Sequence, residues 1–418
     1  MRILIYGLNY SPELTGIGKY TGEMASWLAR RGHEVRVVTA PPYYPAWSVR
    51  EDYRGSLYRT ERHFGEPLVY RTPLYVPAKP TGLKRVAHLF SFMLGSLPVM
   101  FRQCFWRPNV VFTVEPTFFG APVALFVAKA TGAASWLHVQ DFEVDAAFDL
   151  GLLPAHGPVH AIALGLEKTF TRTFTRVSSI STKMVERAEM KGVASHRIRL
   201  FPNWVDIDAV RPQDPDAPNS FRHELSLEGK IILLYSGNMG AKQGLELLAP
   251  LAASFENDPR VHFVFCGNGA FRPTLESLVA NQPNVTLLPL QPLERLSDLL
   301  NAADIHLLPQ KAGAADLVMP SKLTGMLSSG RPVIATAEIG TQVARVVGGD
   351  SAAEACGLVV PAEDLVALHA AVEELIENPA LRAKLGSNAR HYAVNHLGKQ
   401  QVLEEFERDI EELIGSIR

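Results

Sequence analysis

The sequence has few cysteines and no long hydrophobic run. Three cysteines among 418 residues, Cys104, Cys266 and Cys356, match neither a disulfide framework nor a metal motif in their spacing. We therefore exclude a disulfide-stabilised secreted domain and expect a reducing, cytoplasmic compartment. The longest apolar segment, residues 86–101, is shorter than a bilayer span, so no transmembrane helix is expected. The opening MRILIYGLNY is too short for a signal peptide and is typical of a β-strand.

The motifs of the common nucleotide-binding folds are also missing. A dinucleotide-binding Rossmann domain carries GxGxxG directly after its first strand and an acidic residue at the end of its second. Here Gly7 is followed by Gly16 and Gly18, which come too late, and the second strand ends in Thr39-Ala40. No GxxxxGK[ST] pattern occurs either. These absences argue against a nicotinamide dehydrogenase and a P-loop enzyme.

Metal-binding patterns are weak. Asp206-Ile207-Asp208 and Asp214-Pro215-Asp216 match Asp-x-Asp, a short pattern that can hold Mn²⁺ or Mg²⁺ on a nucleoside diphosphate. Both lie in residues 206–220, which are rich in Pro and Asp and have no periodicity, as is typical of a linker. We interpret these aspartates as solvated linker charges. We expect no metal and no other cofactor.

Charge is abundant but unevenly distributed. Residues 1–205 contain 24 Lys and Arg against 15 Asp and Glu, and residues 206–418 contain 17 against 28. The length exceeds what one hydrophobic core usually serves, so two domains are expected. Opposed charge in the two halves suggests modules that meet different chemical groups. The alternative is surface charge without functional meaning.

Strand-like and helix-like segments alternate along the chain. The run Ile3–Tyr6, the stretch GKYTGEMASWLARRG and the run HEVRVVTA form a β-loop-α-β unit. The helix is predicted to bury Tyr20, Met24, Trp27 and Leu28. The pattern recurs from KIILLYSGNMG, where a strand again leads into a glycine loop. We predict an α/β fold of two doubly wound, Rossmann-like domains with parallel sheets, facing each other across a cleft that binds the ligands.

The predicted domain boundary lies at the linker. We assign residues 1–205 to the N-terminal domain and residues 206–397 to the C-terminal domain. The last segment, residues 398–418, has a helical pattern and can pack back onto the N-terminal domain.

One segment of the C-terminal half is suited to holding phosphate. In DLVMPSKL, Pro320 and Ser321 fit the start of a helix that runs to about Ser329 and ends at Gly330. A helix start presents unpaired N–H groups, worth about 1 kcal/mol to an anion. Ser321 adds a hydroxyl donor and Lys322 a full positive charge. Together they can stabilise a diphosphate leaving group without a metal ion, although a capped helix with a solvent-facing lysine fits the same pattern.

Six segments, taken together and in order, are typical of one family. They are LTGIGKYTGEMASWLARRGHEVRVVTA, FPNWVDIDAVRP, LLYSGNMGAKQGLELL, FCGNGAFRPTLE, NAADIHLLPQ and PSKLTGMLSSGRPVIAT. In this combination the sequence resembles the retaining GT-B glycosyltransferases of family 4 over nearly its whole length. The resemblance implies a metal-independent enzyme with an acceptor-side N-terminal domain and a donor-binding C-terminal domain. More narrowly, residues 6–47 and 138–153 resemble a branch that transfers L-fucose from GDP-fucose in colanic acid biosynthesis.

The resemblance also implies roles for single residues. His138, at the end of the strand ASWLHV, would contact the transferred sugar, and the alternative is a purely structural histidine. Independently of the resemblance, we interpret Asp141, in the carboxylate cluster that follows, as the residue that orients the acceptor hydroxyl. With Lys322 at the leaving diphosphate, these are the predicted catalytic residues. The predicted donor-binding residues are Gly16, Gly18, Gly237, Asn238, Lys242, Gly267, Asn268, Gly269, Pro320, Ser321, Lys322 and Leu323.

Three positions depart from the family pattern. Gly325 stands where the family has a ribose-binding glutamate, Asn238 where it has an arginine, and Gln243 where it has a lysine, with Lys242 adjacent. We expect Lys322 and the helix start to supply the missing positive charge. Gly325 would let the nucleotide lie close against the helix, at about 1 kcal/mol of helix propensity.

The expected partners are a nucleotide-sugar and a polyprenyl-diphosphate-linked acceptor, and no nucleic acid. Residues 50–107 carry ten basic side chains against four acidic ones and include the apolar run 86–101. This region can rest on anionic lipid at the inner face of the cytoplasmic membrane, as a peripheral contact; a buried helix with ordinary flanking charges is the alternative. Two other functions remain open: a nucleotide-sugar 2-epimerase of the same fold, and a nucleotide-sugar-binding subunit that has lost catalysis.

Overall fold

The computed structural model describes residues 1–13, 16–78, 82–115, 118–142, 158–214, 217–240, 243–312 and 320–417. The chain divides into two compact units. The first consists of Met1–Pro202 together with Leu403–Arg418, and the second consists of Asn203–Val402. Lys242, one of the predicted donor-binding residues, lies outside the described residues.

The first unit is built on an eight-stranded sheet. In chain order, β1 to β8 are Arg2–Gly7, Glu34–Thr39, Arg59–Glu61, Leu68–Arg71, Val110–Glu115, Ala134–Val139, Arg176–Ser179 and Ile198–Leu200. The spatial order is β3-β4-β2-β1-β5-β6-β7-β8, and the edge pair β3 and β4 is antiparallel while the other neighbours are parallel. The strand order reverses at β1. The carboxyl ends of β1 and β5 therefore flank a topological switch point, where ligands of such sheets bind.

Helices pack on this sheet. In chain order, α1 to α5 are Gly16–Arg30, Gly82–Trp106, Ala121–Thr131, Pro158–Thr173 and Thr182–Met190. The prediction that α1 buries Tyr20, Met24, Trp27 and Leu28 is confirmed. The strands β5 and β6 are buried at every position, so both faces of the sheet are covered at its centre.

The second unit is built on six parallel strands. The strands β9 to β14 are Ile231–Ser236, Val261–Cys266, Val285–Leu288, Ile305–Leu308, Val333–Thr336 and Gly357–Val360. The helices α6 to α13 are Ser220–Glu224, Leu248–Ser254, Arg272–Val279, Leu296–Ala302, Ser321–Ser328, Gln342–Gly348, Leu365–Glu377 and Pro379–His396. The spatial order β11-β10-β9-β12-β13-β14 reverses at β9, so the carboxyl ends of β9 and β12 flank a second switch point.

The last helix, α14 (Lys399–Ile417), packs on the first unit along most of its length. Phe406 stacks on Phe201 with ring centroids 4.2 Å apart and meets Trp136 edge-on at 5.2 Å. The carboxylate of Glu407 lies 2.7 Å from His33 Nε2 and 3.1 Å from Arg31. An aromatic cluster and an ion pair thus hold the final helix to the first unit.

The predicted alternation of strand and helix in two sheets is confirmed, and both sheets are parallel apart from the antiparallel edge pair β3 and β4. The sequence indicated residues 206–220 as a linker, but the described part of this segment is packed within the second unit. Gln213 N donates to Asn301 Oδ1 at 2.9 Å, and Asn219 caps α6 by accepting from the N–H groups of Phe221 and Arg222. Such side-chain contacts hold irregular backbone without any periodic pattern. Among the residues described, no helix has the length and apolar character needed to cross a membrane.

Candidate functional site

Two glycine loops lie at the carboxyl ends of β9 and β10. Their backbones pack on each other, because Gly237 N donates to Cys266 O at 2.9 Å and Met239 N donates to Asn268 O at 2.8 Å. A Cβ at Gly267 would collide with Gly237 O, and both glycines have positive φ, at +150° and +138°. Loop packing by itself therefore requires glycine at position 267.

Lys322, the second residue of α10, reaches these loops. Its Nζ donates to Tyr235 Oη at 3.1 Å and to Gln243 Oε1 at 2.8 Å, and lies 4.2 Å from the centre of the Tyr235 ring. The Tyr235 hydroxyl in turn donates to Asn238 O at 2.6 Å. The structure thus joins the helix start, β9 and the first glycine loop. The Lys322 side chain is half-buried and bonded to Tyr235 and Gln243, so it does not extend freely into solvent.

The surroundings of Lys322 set its charge. Removal from water lowers the pKa of the Lys322 amine to about 7. Its hydrogen-bond partners, a phenol and an amide oxygen, bring no negative charge. The predicted full positive charge therefore needs correction, since the amine is near its midpoint at neutral pH. An anion placed beside Nζ would raise the pKa again and complete the charge.

The helix α10 begins at Ser321, as predicted, and Gly330 (φ +69°) follows its end. Pro320 occupies the N-cap position and makes no side-chain cap, and Ser321 is exposed. Leu323 was predicted to bind the donor, but its surroundings indicate a different role. Its side chain is fully buried and its N–H already donates to Pro320 O at 3.0 Å, so it is a core residue.

Gly325 lies on the turn after Lys322 and faces α9. A Cβ there would come 3.2 Å from Leu300 Cδ1, which is close but involves a flexible side chain. Packing against Leu300 is thus one structural reason for a small residue. The close approach of a nucleotide at Gly325 stays a prediction.

The other predicted donor-binding residues of this unit lie at the loop tips. Asn238, Asn268 and Gly269 are exposed, and Gly269 has a positive φ of +152°. A Cβ at Gly269 would collide with Met239 O, so this glycine is also required by loop packing. The two asparagine side chains are therefore the accessible polar groups of these loops, and their contact with the donor stays a prediction.

Three residues near this switch point were missed from the sequence. Tyr235 contacts both Lys322 and the first loop, as described above. Arg272 donates to Gly267 O, and to Leu288 O at 2.6 Å, which braces the second loop. Gln310 is buried two residues after β12, and its Oε1 has no hydrogen-bond partner among the described residues. Buried amide oxygens are usually paired, so Gln310 marks this edge as unusual.

The first unit contains a cavity of about 210 Å³ beside the carboxyl end of β1. It brings together Gly16, Gly18 and Asp141, all predicted from the sequence. The cavity is also lined by residues that the sequence did not single out, including Asn9, Glu13, Tyr43, Trp47, Arg85 and His88. A few polar groups among aromatic faces suit a small ligand that carries hydroxyl groups.

Glu13 is the buried carboxylate of this cavity. Its Oε2 accepts from Asn9 Nδ2 at 2.9 Å, and its Oε1 accepts from the N–H groups of Tyr43 and Tyr44 at 3.1 Å each. Burial raises the pKa of Glu13, although these hydrogen bonds oppose the effect. A Cβ at Gly18 would lie 2.6 Å from Oε2, so only glycine allows the first turn of α1 to come this close.

His138 is the penultimate residue of β6, and its ring lies in the interior. The side chain is 3% exposed, with Nδ1 2.9 Å from Ser178 Oγ and Nε2 3.0 Å from the Gln140 amide nitrogen. Burial lowers the pKa of His138 to about 3, so the imidazole is neutral at physiological pH. This geometry favours a packing role. The predicted contact with the transferred sugar finds no support here.

The first of the two Asp-x-Asp patterns has a structural explanation. Asp206 Oδ1 accepts from the N–H groups of Asp208 and Ala209 at 3.2 and 2.9 Å, so the first Asp-x-Asp closes its own turn. Asp216, in the second pattern, lies outside the described residues. In the part of the chain that the structure describes, no group of three or more His, Cys, Asp or Glu residues is suited to a metal ion.

Comparisons with known proteins cover almost the whole chain. The family model described as "Glycosyl transferase 4-like domain" matches residues 15–204, and the model "Glycosyl transferases group 1" matches residues 216–392. The chain is 42% identical over 415 residues to an Escherichia coli (strain K12) protein named "Putative colanic acid biosynthesis glycosyl transferase WcaI". That match covers 98% of this chain and 100% of the Escherichia coli protein.

Solved structures show the same architecture. Sucrose-phosphate synthase from Thermosynechococcus elongatus matches with a TM-score of 0.75 at 18% identity, over 100% of both chains. Anabaena Alr3699/HepE, solved in complex with UDP, matches with a TM-score of 0.72 at 14% identity, over 99% of this chain and 100% of that one. The predicted fold, two doubly wound domains of the GT-B kind, is confirmed.

Proposed function

Because the chain belongs to the GT-B glycosyltransferases of family 4, we propose that it transfers L-fucose from GDP-fucose to a lipid-linked oligosaccharide. Transfer proceeds with retention and without a metal ion. The product is a repeat unit of an exopolysaccharide such as colanic acid, made at the inner face of the cytoplasmic membrane. The observation that carries this proposal is the full-length similarity to the Escherichia coli protein named for colanic acid biosynthesis.

In this proposal the second unit holds the donor. The diphosphate lies at the carboxyl ends of β9 and β12, beside the Lys322 amine and the first-turn N–H groups of α10. Lys322 becomes fully protonated against the diphosphate. A preorganised positive charge then stabilises the leaving group as its negative charge develops, which is the task a metal ion performs in other enzymes.

Retention follows from attack on the face that the diphosphate leaves. The acceptor oxygen forms a bond to the anomeric carbon while the bond from that carbon to the diphosphate oxygen breaks. The proton of the acceptor hydroxyl ends on the departing diphosphate oxygen. The protein supplies no nucleophile, and its contribution is orientation and charge stabilisation.

The first unit holds the acceptor. Asp141, at the cavity of that unit, orients the acceptor hydroxyl. The aromatic rings of Tyr43 and Trp47, 5.6 Å apart, offer apolar faces to the sugar ring. Glu13 holds the loop of Tyr43 and Tyr44 through its two backbone hydrogen bonds and keeps this wall in place.

Transfer from labelled GDP-fucose to a lipid-linked acceptor tests the proposal. We expect product with a chelator present, and NMR of the new linkage should show the anomeric configuration of the donor. An inverted linkage would refute retention. Activity that is lost with the chelator and restored by Mn²⁺ would refute metal independence. Transfer from a UDP-sugar, but not from GDP-fucose, would refute the donor assignment.

One observation favours a second function. Gly325, Asn238 and Gln243 replace residues of the family pattern, and Gln243 holds the Lys322 amine that a bound diphosphate would need. A nucleotide-sugar-binding subunit without catalysis fits these changes. GDP-fucose binding by calorimetry, with no turnover on any acceptor, would favour the subunit. Interconversion of a free UDP-sugar without acceptor would instead indicate a 2-epimerase.

A further inference from the structure

The helix α2 has an inner face that is packed on the first unit. Its buried residues are His88, Leu89, Phe92, Ser96, Met100, Gln103 and Trp106. Phe92 stacks on Tyr6 with ring centroids 5.4 Å apart, and Trp106 Nε1 donates to Glu34 at 2.7 Å. A helix buried on one side in this way usually presents polar side chains on the other.

The opposite side of α2 is apolar. We define the α2 outer face by five large exposed side chains: Leu83 (83% exposed), Phe90 (45%), Leu94 (49%), Phe101 (45%) and Phe105 (90%). Their spacing alternates between seven and four residues, which places them in one stripe along the helix. At about 1.5 Å per residue the stripe is about 33 Å long.

Neighbouring residues extend this stripe. Ala87 and Pro98 lie within it and are exposed. Phe126 of α3 is 55% exposed and meets Phe101 edge-on with ring centroids 5.4 Å apart. The apolar surface is therefore continuous across two helices, which is more than scattered surface hydrophobic residues produce.

The charged side chains that α2 itself carries have one sign. The helix contains no Asp or Glu, but it contains Lys84, Arg85 and Arg102, and Arg107 follows it directly. Lys84 and Arg102 are exposed, and among the described residues neither forms an ion pair with a carboxylate. Exposed cations beside a long apolar stripe complement a surface that is anionic outside and apolar just below.

We propose that the α2 outer face docks on an anionic phospholipid bilayer, with the helix axis parallel to the membrane. The apolar side chains enter the boundary between headgroups and acyl chains, and Lys84 and Arg102 meet lipid phosphates. The inner side of the same helix contributes Arg85, His88 and Leu89 to the cavity of the first unit. Docking therefore places this cavity beside the headgroups. The use of that placement rests on the proposed function, since it requires a lipid-linked acceptor.

Vesicle flotation of the full chain tests the docking. Wild type should float with vesicles of phosphatidylcholine and phosphatidylglycerol, and more weakly at high salt or with phosphatidylcholine alone. The double variant Leu94→Glu/Phe105→Glu should bind at least about tenfold more weakly, because carboxylates enter the apolar stripe. Lys84→Glu/Arg102→Glu should weaken binding to the anionic vesicles by about fivefold or more per residue. The matched control is Val366→Glu, an apolar residue 81% exposed on α12, which should float like wild type.

The remaining outcomes separate this proposal from others. Absence of wild-type flotation, or equal flotation of wild type and Leu94→Glu/Phe105→Glu, would overturn the docking. A dimeric wild type in light scattering would also overturn the docking if Leu94→Glu/Phe105→Glu were monomeric. The stripe would then join two copies of the chain. Leu94→Glu/Phe105→Glu should transfer sugar to a short, water-soluble acceptor as fast as wild type does. A wild type that floats but transfers nothing would refute the proposed function and leave the docking intact.

Discussion

The two switch points of this protein have the same topology and different chemistry. In each unit the strand order reverses at one central strand, at β1 in the first and at β9 in the second. The first switch point opens into a cavity lined by side chains, among them the buried carboxylate of Glu13. The second is lined by glycine loops and the amine of Lys322. One architecture therefore presents two kinds of surface, and the side chains at the strand ends make the difference.

In each half of the chain, the charged side chain at the candidate site has the opposite sign to the net charge of that half. The first half has an excess of basic residues, but the most buried charged group of its cavity is Glu13. The second half has an excess of acidic residues, but the side chains of Lys322 and Arg272, which contact its glycine loops, are both basic. Solvent screens exposed charges, whereas burial and close neighbours control the groups inside a site. Net charge thus describes the surface of each half and not its site.

Removing the amine of the second site should give the largest effect. We expect Lys322→Ala to weaken binding of GDP or GDP-fucose about 30-fold or more, because a charged hydrogen bond to an anion contributes about 2 to 3 kcal/mol. Isothermal titration calorimetry measures this change. Lys384→Ala, at an exposed lysine on α13, serves as the control and should bind like wild type. An unchanged dissociation constant for Lys322→Ala would remove this amine from the donor site.

The pH dependence of GDP binding tests the role of Lys322 in a second way. Since the pKa of Lys322 is about 7 without a ligand and rises beside an anion, binding takes up a proton near neutral pH. Wild-type affinity for GDP should therefore fall as pH rises above about 7, and Lys322→Ala should lack this fall. Titrations in buffers of different ionisation enthalpy would reveal the proton uptake. Parallel pH profiles for the two proteins would contradict the assignment.

The last helix allows the stability of the two units to be compared. Glu407→Ala should lower the free energy of unfolding of the first unit by about 2 kcal/mol, since His33 and Arg31 lose their buried partner. Burial opposes ionisation, but hydrogen bonds from His33 and Arg31 hold the pKa of Glu407 below its usual value. Its contribution is therefore present above the unfolded pKa and is lost as pH falls through the folded pKa.

Hydrogen exchange, resolved by region, measures the effect of Glu407→Ala on each unit. Protection should fall in β1, β2 and α14 and stay unchanged in β9 and β10. Glu411→Ala, at an exposed position of the same helix, should change neither unit. Equal loss of protection in both units would mean that the ion pair does not act on the first unit alone.

A smaller effect is expected from neutralising the carboxylate of the first site. Because burial raises the pKa of Glu13, the folded state binds its proton more tightly than the unfolded state. This term makes wild-type stability fall as pH rises from the unfolded pKa through the folded pKa. Glu13→Gln stays neutral and should lack this decline in urea unfolding from acidic to neutral pH. Glu51→Gln, at a side chain that is 92% exposed, is the control, and its stability should depend on pH as that of wild type does. If the stability of Glu13→Gln also declined with pH as in wild type, the raised pKa of Glu13 would be contradicted.

The smallest effect is expected at Gly325. Gly325→Ala gains about 1 kcal/mol of helix propensity but must displace Leu300 slightly, so stability should change by less than about 1 kcal/mol. If the nucleotide lies against this turn, affinity for GDP should fall about threefold. Thermal unfolding and calorimetry measure the two quantities. Unchanged affinity would leave packing against Leu300 as the reason for this glycine.

Local patterns predicted much of the fold and only part of the candidate site. The buried face of α1 and the start of α10 were predicted because periodicity and caps act within a few residues. The antiparallel edge pair Arg59–Glu61 and Leu68–Arg71 was missed, because its strands are short and without clear alternation. Lys322 was found by its place at a helix start. Glu13 was missed, because only the distant Tyr43 N–H and the turn at Gly18 make it a buried carboxylate.

By itself the sequence determined that two mainly parallel sheets form and that a helix begins at Ser321. It also determined that residues 86–101 are apolar and contain no acidic side chain. These features depend on residues close together in the chain, where spacing alone settles the outcome. The tertiary structure decided which side of α2 is covered, that Lys322 is half-buried against Tyr235, and that His138 is enclosed. Each of these depends on contacts between residues far apart in the chain, because burial, and the pKa that follows from it, is set by the neighbours that folding brings together.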